Sequence, residues 1–178
     1  MNFQTRLTAK ILNLGGVISM PTDTVQGLTC LPAYEQSIQK LLQLKRRNSA
    51  KGLILLASDI SFLLPYVKEV SLLATIKPRQ QPTTYLLKAN NNVSPLITGK
   101  FDTVAVRITD NPLIAALCKK CQSALLSTSA NITGKQEANS ILKLNIYFKQ
   151  QLDFMLTPKN HNNQASQIID GQTGRILR

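Results

Sequence analysis

Tryptophan is absent from this chain of 178 residues, and aromatic residues make up only 5% of it. Proteins that bind single-stranded nucleic acid by base stacking need aromatic platforms, so this composition argues against such a role. The single histidine, His161, lies among asparagines in a polar segment, which argues against a serine, histidine and aspartate triad. The sequence therefore favours neither base stacking nor triad hydrolysis.

Cysteines and long apolar runs are also scarce. The odd number of three cysteines, without a secretory context, predicts reduced thiols. Cys118 and Cys121 have the spacing of a zinc or redox pair, but no second Cys or His pair in the sequence completes it, so we predict no metal ligands. No apolar run approaches the ~20 residues that cross a bilayer, and residues 1–14 mix polar and apolar side chains. We therefore expect a cytoplasmic protein that does not use a membrane.

Acidic residues are few, and this shortage gives the chain a strong charge. Nine Asp and Glu stand against 21 Lys and Arg, for a net charge of +12. Such an excess favours polyanionic partners, namely nucleotides, RNA or an anionic membrane. Some of this charge lies on solvated faces in any basic protein, so charge alone names no substrate.

Length and apolar content predict one domain, residues 1–178, with a substantial core. Helical and strand patterns alternate without repeats or a linker, which predicts an α/β fold in which helices cover a twisted, mixed sheet. Residues 21–27 are expected to form a loop and residues 90–102 a polar connection. The predicted helices cover residues 3–14, 33–45, 111–121 and 137–144, together with two pieces of 60–77 broken near Pro65. The predicted strands cover residues 17–20, 52–57, 83–89, 103–108, 124–126 and 154–156. Residues 166–170 and 175–178 form the last predicted elements.

Two distant segments are suited to hold an anion. Lys45, Arg46 and Arg47 end a predicted helix, where one or two cations would satisfy the helix dipole, so the surplus charge indicates a negative partner. Residues 127–134 place short hydroxyl and amide side chains after an apolar run, which lets backbone N–H groups approach phosphate oxygens. Taken alone, each segment has an ordinary interpretation, as a solvated helix end or a capped turn.

Four segments in this order resemble the YrdC-like threonylcarbamoyl-AMP synthases over nearly the whole chain. They are residues 21–24 (Pro-Thr-Asp-Thr), residues 45–53 with Lys45, Arg47 and Lys51, residues 102–107 (Asp-Thr-Val-Ala-Val-Arg) and residues 127–134. The resemblance implies a three-layer domain with a twisted mixed sheet around a deep basic cavity, in the short TsaC/YrdC form that lacks a further C-terminal domain. It also implies the family's activity: L-threonylcarbamoyladenylate and pyrophosphate are made from L-threonine, bicarbonate and ATP, toward the threonylcarbamoyl-adenosine next to the tRNA anticodon.

The resemblance also implies which residues form the site. The Lys-x-Arg and Ser-x-Asn tetrad of the family, expected to be catalytic, falls on Lys45, Arg47, Ser129 and Asn131. ATP is expected to contact Arg47, Lys51, Thr103, Ser129 and Arg178, and threonine is expected to contact Thr24, Arg107, Ser127 and Ser166. On physical grounds, a planar guanidinium such as that of Arg107 suits a carboxylate, whereas Lys45 and Arg47 suit triphosphate oxygens. Mg²⁺ is expected to arrive with ATP, because no cluster of carboxylates in the sequence offers a protein cage.

Two places depart from the family pattern. Gln26 stands where an aromatic residue is common, and residues 79–84 (Arg-Gln-Gln-Pro-Thr-Thr) replace Trp-Pro-Gly-Pro-x-Thr, although Pro82 and Thr84 still align. We therefore expect a changed cavity wall. Two other functions stay open on the sequence: a non-catalytic basic RNA-binding protein, and a paralogue of the same fold with another substrate. Partner proteins that use the adenylate, and RNA itself, are the expected macromolecular contacts.

Overall fold

The fold is built on one eight-stranded sheet. The computed structural model describes residues 3–159 and 165–178. Along the chain the strands are β1 Ile18–Pro21, β2 Gln26–Cys30, β3 Ile54–Ala57, β4 Thr83–Lys88, β5 Thr103–Ile108, β6 Leu125–Ser129, β7 Phe154–Met155 and β8 Gln167–Asp170. Across the sheet their order is β7-β1-β2-β6-β3-β5-β4-β8. The pairs β1–β7, β3–β5 and β4–β8 are parallel and the others are antiparallel, which confirms the predicted mixed sheet.

Helices and short 3₁₀ turns connect the strands. The α-helices are α1 Phe3–Asn13, α2 Glu35–Lys45, α3 Val70–Leu73, α4 Pro95–Thr98, α5 Pro112–Cys121 and α6 Ile141–Phe148, and 3₁₀ turns lie at Ile60–Phe62 and Leu64–Tyr66. The start of α5 follows from its sequence, because the Asn111 side chain accepts hydrogen bonds from the first backbone N–H groups and Pro112 needs none. None of the helices within residues 3–159 and 165–178 is long and apolar enough to span a membrane.

Helices pack against both faces of the sheet, which confirms the three-layer architecture. On one face, α2, α3, α4 and α6 form a core with the strands, represented by Leu41, Leu55 and Val106. On the other face, α1 and α5 form a separate core that includes Leu12 and Ile114. The second helical layer is the smaller one, and this difference leaves room for a cavity.

The α1 and α5 layer covers only one end of its sheet face. On β3, Leu56 belongs to that core, whereas Ile54, two residues earlier and therefore on the same face, lines an open cavity. On β6, Leu125 lies in the core and Ser127 in the cavity. The uncovered end of the sheet is therefore the floor of the cavity.

The largest difference from the sequence prediction concerns residues 21–30. Gln26 and Gly27 belong to β2, which was not predicted, and the loop after β1 is limited to residues 22–25. A glycine in a short polar run weakens strand propensity, and pairing with both β1 and β6 overrides it. Similarly, Ser127, Thr128 and Ser129 extend β6 instead of opening a turn.

Three further elements differ in position. The helix predicted at residues 137–144 begins only at Ile141, because Ser140 caps it through a hydrogen bond from the Lys143 N–H. The two helical pieces predicted within 60–77 are 3₁₀ turns followed by α3, and Pro65 lies inside the second turn instead of between the pieces. The predicted polar connection 90–102 contains α4. His161 lies outside the described residues.

Candidate active site

A cavity of about 560 Å³ lies over the uncovered end of the sheet. Strands β2 to β6 and β8 supply its floor, and the segments after β1, after α2 and before β8 supply its walls. All the predicted site residues except Lys45 and Asn131 line it, namely Thr24, Arg47, Lys51, Thr103, Arg107, Ser127, Ser129, Ser166 and Arg178. One concave surface therefore brings together residues that are separated by most of the chain.

Lys45 lies beneath the cavity wall and is only 3% exposed. It follows Leu41 by one helical turn on the buried face of α2, so the helix carries its side chain into the protein. Its Nζ donates to the Ser129 carbonyl and to Asn131 Oδ1, both at 2.6 Å, and lies 3.0 Å from Ser129 Oγ and 3.2 Å from the Asn131 carbonyl. The ammonium thus directs its protons to protein acceptors, and its contact with phosphate stays a prediction.

The same network fixes the turn after β6. Ser129 Oγ donates to Asn131 Oδ1 at 2.7 Å, and Asn131 Nδ2 donates to the Lys135 carbonyl at 2.7 Å. The backbone N–H and the hydroxyl of Thr133 both donate to the Lys45 carbonyl at 2.9 Å, which is one of the carbonyls left free at the end of α2. Three of the four tetrad residues therefore form one connected unit, in which Lys45 and Asn131 hold Ser129 at the cavity surface.

Burial perturbs the charge of Lys45. The pKa of its ammonium is lowered to about 8, first by desolvation and second by the positive charge of Arg47, whereas the negative charge of Glu137 opposes the shift. A lysine with a pKa this low is still mostly protonated at neutral pH but loses its proton within the range of ordinary assays. Of the predicted tetrad, Lys45 is therefore the residue whose function should depend most on pH.

Arg47 reaches the cavity because the helix stops before it. Arg46 adopts the left-handed conformation that ends α2, with φ at 48°, and turns the chain toward β3. The Arg47 guanidinium donates to the Gly52 carbonyl at 2.9 Å and lines the cavity. Burial lowers the pKa of this guanidinium, but an arginine remains charged. Since a guanidinium carries five N–H groups, donors remain for an anion.

Arg107 supplies a second cation from the sheet itself. It is 4% exposed, and its guanidinium contacts Asp23 Oδ1 at 3.1 Å and Thr24 Oγ1 at 3.3 Å. Its Nε is buried and has no hydrogen-bond partner among the described residues. Because buried polar groups are nearly always paired, this unpaired donor shows that the protein does not satisfy the whole Arg107 guanidinium, which lines the cavity. Burial lowers the pKa of Arg107, and Asp23 opposes that shift.

The C-terminal segment closes the far side of the cavity. Ser166 Oγ lies 2.8 Å from Thr84 Oγ1, and the Arg178 guanidinium donates to the Ser166 carbonyl at 3.1 Å. Backbone hydrogen bonds between Ile168 and the last two residues keep Arg178 beside β8. A residue predicted to contact ATP and one predicted to contact threonine are therefore neighbours.

Several cavity residues were not predicted from the sequence. Thr22 and Thr84 lie within segments that were compared with the family, but no role was assigned to them. Glu137 and Leu177 lie within predicted elements and Phe101 within a predicted connection, and none of these three was expected to line a cavity. Glu137 is the only acidic side chain among the described residues that line the cavity, and the arginines and Lys51 give the rest of the lining a positive charge. No group of three His, Cys, Asp or Glu side chains in the part of the chain described here could hold a metal ion.

The two departures from the family pattern leave the cavity lining in place. Gln26 points to the other face of β2, where its side-chain amide donates to Ser19 Oγ at 2.9 Å and to the Leu156 carbonyl at 3.1 Å. Residues 77–82 form an exposed loop that does not line the cavity, and Thr84 does. The expected change of the wall therefore lies outside the lining itself.

The sequence comparisons agree with this geometry. The family model Sua5_yciO_yrdC, described as "Telomere recombination", matches residues 10–178. A threonylcarbamoyl-AMP synthase of Nitrosococcus oceani is 41% identical over 99% of this chain and 98% of its own length. A protein of the same name from Acinetobacter baumannii is 37% identical over 96% of this chain and 95% of its own.

Solved structures share the fold. P. abyssi Sua5 complexed with L-threonine superposes with a TM-score of 0.83 at 25% identity, over 94% of this chain. The chain spans 51% of that protein's length. E. coli YciO superposes with a TM-score of 0.78 at 25% identity, over 95% of this chain and 85% of its own.

Proposed function

Because the chain belongs to the Sua5/YciO/YrdC family, we propose that it is a threonylcarbamoyl-AMP synthase, which makes threonylcarbamoyl-adenylate and pyrophosphate from L-threonine, bicarbonate and ATP. One observation carries the proposal: a single cavity exposes both the side chains expected to hold ATP and those expected to hold threonine. Its volume of about 560 Å³ is in the range of ligand sites that enclose a small molecule.

Arg107 is the proposed anchor of the amino acid. Its planar guanidinium lines the cavity and matches a carboxylate, while Asp23 and Thr24 fix the orientation of the group. Ser127 and Ser166 add hydroxyls to the same cavity. The P. abyssi protein bound to L-threonine supports the choice of substrate.

Arg47, Lys51 and Arg178 are the proposed contacts of ATP, together with Thr103 and Ser129. Positive side chains in a partly closed cavity stabilise the charge that develops when pyrophosphate leaves the α-phosphate. Lys45 and Asn131 act through Ser129, whose position their hydrogen bonds determine. The site thus accelerates the reaction by fixing both substrates and stabilising charge, without a covalent nucleophile.

The proposed reaction has two steps. The neutral amine of threonine attacks the carbon of carbon dioxide and loses a proton, or attacks the carbon of bicarbonate with loss of water, and in either case forms a carbamate. A carbamate oxygen then attacks the α-phosphorus of ATP, the bond to the β-phosphate oxygen breaks, and pyrophosphate departs, so that the enzyme is a nucleotidyltransferase. Carbamates decompose in water, and a cavity that limits solvent protects this intermediate.

Mg²⁺ fits this site as an ion that enters with ATP. Glu137 is the only carboxylate among the described lining residues, and Mg²⁺ is commonly held by one or two carboxylates together with phosphates and water. We propose that Glu137 is the protein carboxylate available to it. When bound, the ion would neutralise charge on the phosphates.

The product sets the biological context of the proposal. Threonylcarbamoyl-adenylate is a reactive mixed anhydride, so a partner enzyme must transfer its acyl group to the adenosine next to the tRNA anticodon. We propose that this reaction takes place in the cytoplasm and that such tRNA-modification proteins are the chain's partners.

Pyrophosphate release tests the proposal. Purified protein with ATP, Mg²⁺, bicarbonate and threonine should release pyrophosphate, omission of any one substrate should abolish release, and mass spectrometry should identify the adenylate. Serine in place of threonine tests selectivity. Release that depends on a different amino acid would favour the paralogue, and no release with RNA binding intact would favour the RNA-binding protein.

A further inference from the structure

The segment between α2 and β3 carries two of the cations that line the cavity. Residues 45–51 include four cations and no acidic residue, and Arg47 and Lys51 of this segment reach the cavity lining. Like charges repel each other, so the segment would spread apart if nothing else held it. Contacts with another part of the fold must therefore keep it in place.

Residues 97–100, at the end of α4, supply these contacts through backbone hydrogen bonds. The Lys100 N–H donates to the Ala50 carbonyl at 3.1 Å, and the Leu53 N–H donates to the Ile97 carbonyl at 2.8 Å. Ile97 is buried in the core on that side of the sheet. The end of α4 is therefore a fixed support for the segment.

Gly99 lies at this junction between the two segments. It forms a β-bridge with Lys51, and its φ of 68° and ψ of −137° are close to a conformation that essentially only glycine adopts. A Cβ at this position would lie 2.7 Å from the Ala50 carbonyl carbon and 2.8 Å from the Gly52 nitrogen. Both are backbone atoms, so a larger residue at position 99 would push the segment away from α4.

The need to end α4 does not by itself explain this glycine. Helices α2, α5 and α6 are each followed by a residue with positive φ that is not glycine, namely Arg46, Gln122 and Lys149. The chain therefore ends helices without glycine where a side chain has room. At Gly99 the approach of a second backbone leaves no room, so the glycine serves the junction with residues 50–52.

Hydrogen bonds within the segment make it move as one piece. The Arg47 guanidinium donates to the Gly52 carbonyl at 2.9 Å. The Lys51 N–H donates to the Asn48 carbonyl at 3.1 Å, and the Ala50 N–H donates to Asn48 Oδ1 at 2.8 Å. A displacement at the junction would therefore shift Arg47 and Lys51 together.

We propose that Gly99 is a positioning residue for ATP, because it lets residues 46–52 pack against α4 and so places Arg47 and Lys51 at the cavity. The inference rests on the proposed function for the identity of the ligand. Arg107 lies on β5, outside the junction, so the proposed contacts with threonine should not depend on Gly99. Misplacement of a binding group by about 1 Å can cost about 100-fold in rate.

Trypsin cleavage and calorimetry together test this role. Without ligands, trypsin should cut Gly99→Ala after Arg46, Arg47 or Lys51 at least about tenfold faster than the wild type, because the displaced segment opens more often. Mass spectrometry identifies the cleavage sites. Calorimetric titration of the full chain should show that Gly99→Ala binds ATP with Mg²⁺ about 10- to 100-fold more weakly and binds L-threonine as the wild type does.

Gly15→Ala is the matched control. Gly15 also has a positive φ, of 81°, but a Cβ there would lie 3.4 Å from its nearest neighbour, Ser37 Oγ, which is an ordinary contact. Gly15 does not line the cavity. This variant therefore carries the strain of a positive φ without displacing a backbone segment, and its cleavage at residues 46–52 and both of its affinities should match those of the wild type.

Gly52→Ala tests the same junction from the other segment. A Cβ at Gly52 would lie 2.9 Å from the Thr98 carbonyl oxygen, which is again a backbone atom. The variant should reproduce the faster cleavage and the weaker binding of ATP, and it answers the question if Gly99→Ala does not fold.

Three results would overturn the inference. Equal ATP affinities of the wild type and Gly99→Ala, or equal rates of cleavage, would do so and leave the proposed function intact. The same losses in Gly15→Ala would mean that strain at any such glycine is sufficient. A wild type that binds threonine but not ATP would overturn the proposed function, and the inference with it.

Discussion

Replacing Lys45 by methionine removes the ammonium and retains a long side chain in the same buried space. The ammonium has four acceptor atoms of Ser129 and Asn131 within 3.2 Å, so its removal frees the turn that presents Ser129 to the cavity. Loss of one preorganised group of this kind typically costs about 10²- to 10³-fold in rate. We therefore expect Lys45→Met to form adenylate at least about 100-fold more slowly than the wild type.

The fold should tolerate the same change. Burial lowers the pKa of Lys45 from 10.5 to about 8, so the charged form in the folded protein costs about 3 kcal/mol relative to the unfolded chain. The unfolded state binds more protons between these two pKa values, so this residue makes the wild type more stable as the pH rises from 8 to 10.5. Between pH 7 and 10 the gain is about 2 to 3 kcal/mol, and Lys45→Met should lack it.

Urea unfolding of both proteins at pH 7 and pH 10 measures that difference, since other titrating groups cancel between them. The pH dependence of kcat/KM is a second, independent measurement, because the kcat/KM of the wild type should fall above about pH 8 as Lys45 loses its proton. Lys40→Met is the matched control, since Lys40 lies on the same helix, is only half-buried and pairs with Asp153. Near-normal adenylate formation by Lys45→Met, or an identical pH dependence of stability in both proteins, would refute this account of Lys45.

Three further changes test the site and the fold. Arg107→Lys keeps the positive charge beside Asp23 but loses the planar guanidinium that pairs with a carboxylate. Steady-state kinetics should therefore show the KM for threonine raised about 10- to 100-fold and the KM for ATP unchanged. Equal increases in both KM values would contradict the role of Arg107 in binding the carboxylate. Gly27→Ala would place a Cβ 2.9 Å from Ser127 Oγ, which is too close for an unstrained contact. The free energy of unfolding measured with urea should therefore fall by about 1 to 3 kcal/mol. An unchanged urea midpoint would contradict the close packing of β2 against β6. Asn111→Ala removes the cap of α5 and should cost about 1 kcal/mol by the same measurement, with Asn111→Asp as a control that retains the cap.

Local sequence patterns were sufficient to predict the helices and strands whose determining residues lie close together in the chain. Periodic apolar residues predicted α1 and α2, and Asn111 followed by Pro112 predicted the start of α5 within one residue. The sequence predicted the strand β5 with its observed bounds, and Thr103 and Arg107, four residues apart on it, share the face that lines the cavity. These features depend on interactions within a few residues, which a sequence displays directly.

The strand β2 could not be found in this way. Its five residues include Gly27, and their conformation depends on pairing with β1 on one side and β6 on the other. The same pairing continues β6 through Ser129, where the composition alone indicates a turn. Strands that are distant in sequence therefore determine the conformation of both β2 and the end of β6, because the tendency of a segment to form a strand depends largely on its packing against neighbouring strands.

The candidate site likewise combines features that the sequence determines with features that only the tertiary structure determines. The residue types and their order determined the family and the identity of the cations and hydroxyls, since these are properties of the side chains themselves. Only the tertiary structure decided that Lys45 turns its ammonium inward to Ser129 and Asn131, that Glu137 joins the lining, and that α1 and α5 leave one end of the sheet uncovered. The burial of Lys45, its hydrogen bonds to Ser129 and Asn131 and its shifted pKa arise when distant segments pack together and exclude water. A local sequence pattern does not specify which distant segments come into contact.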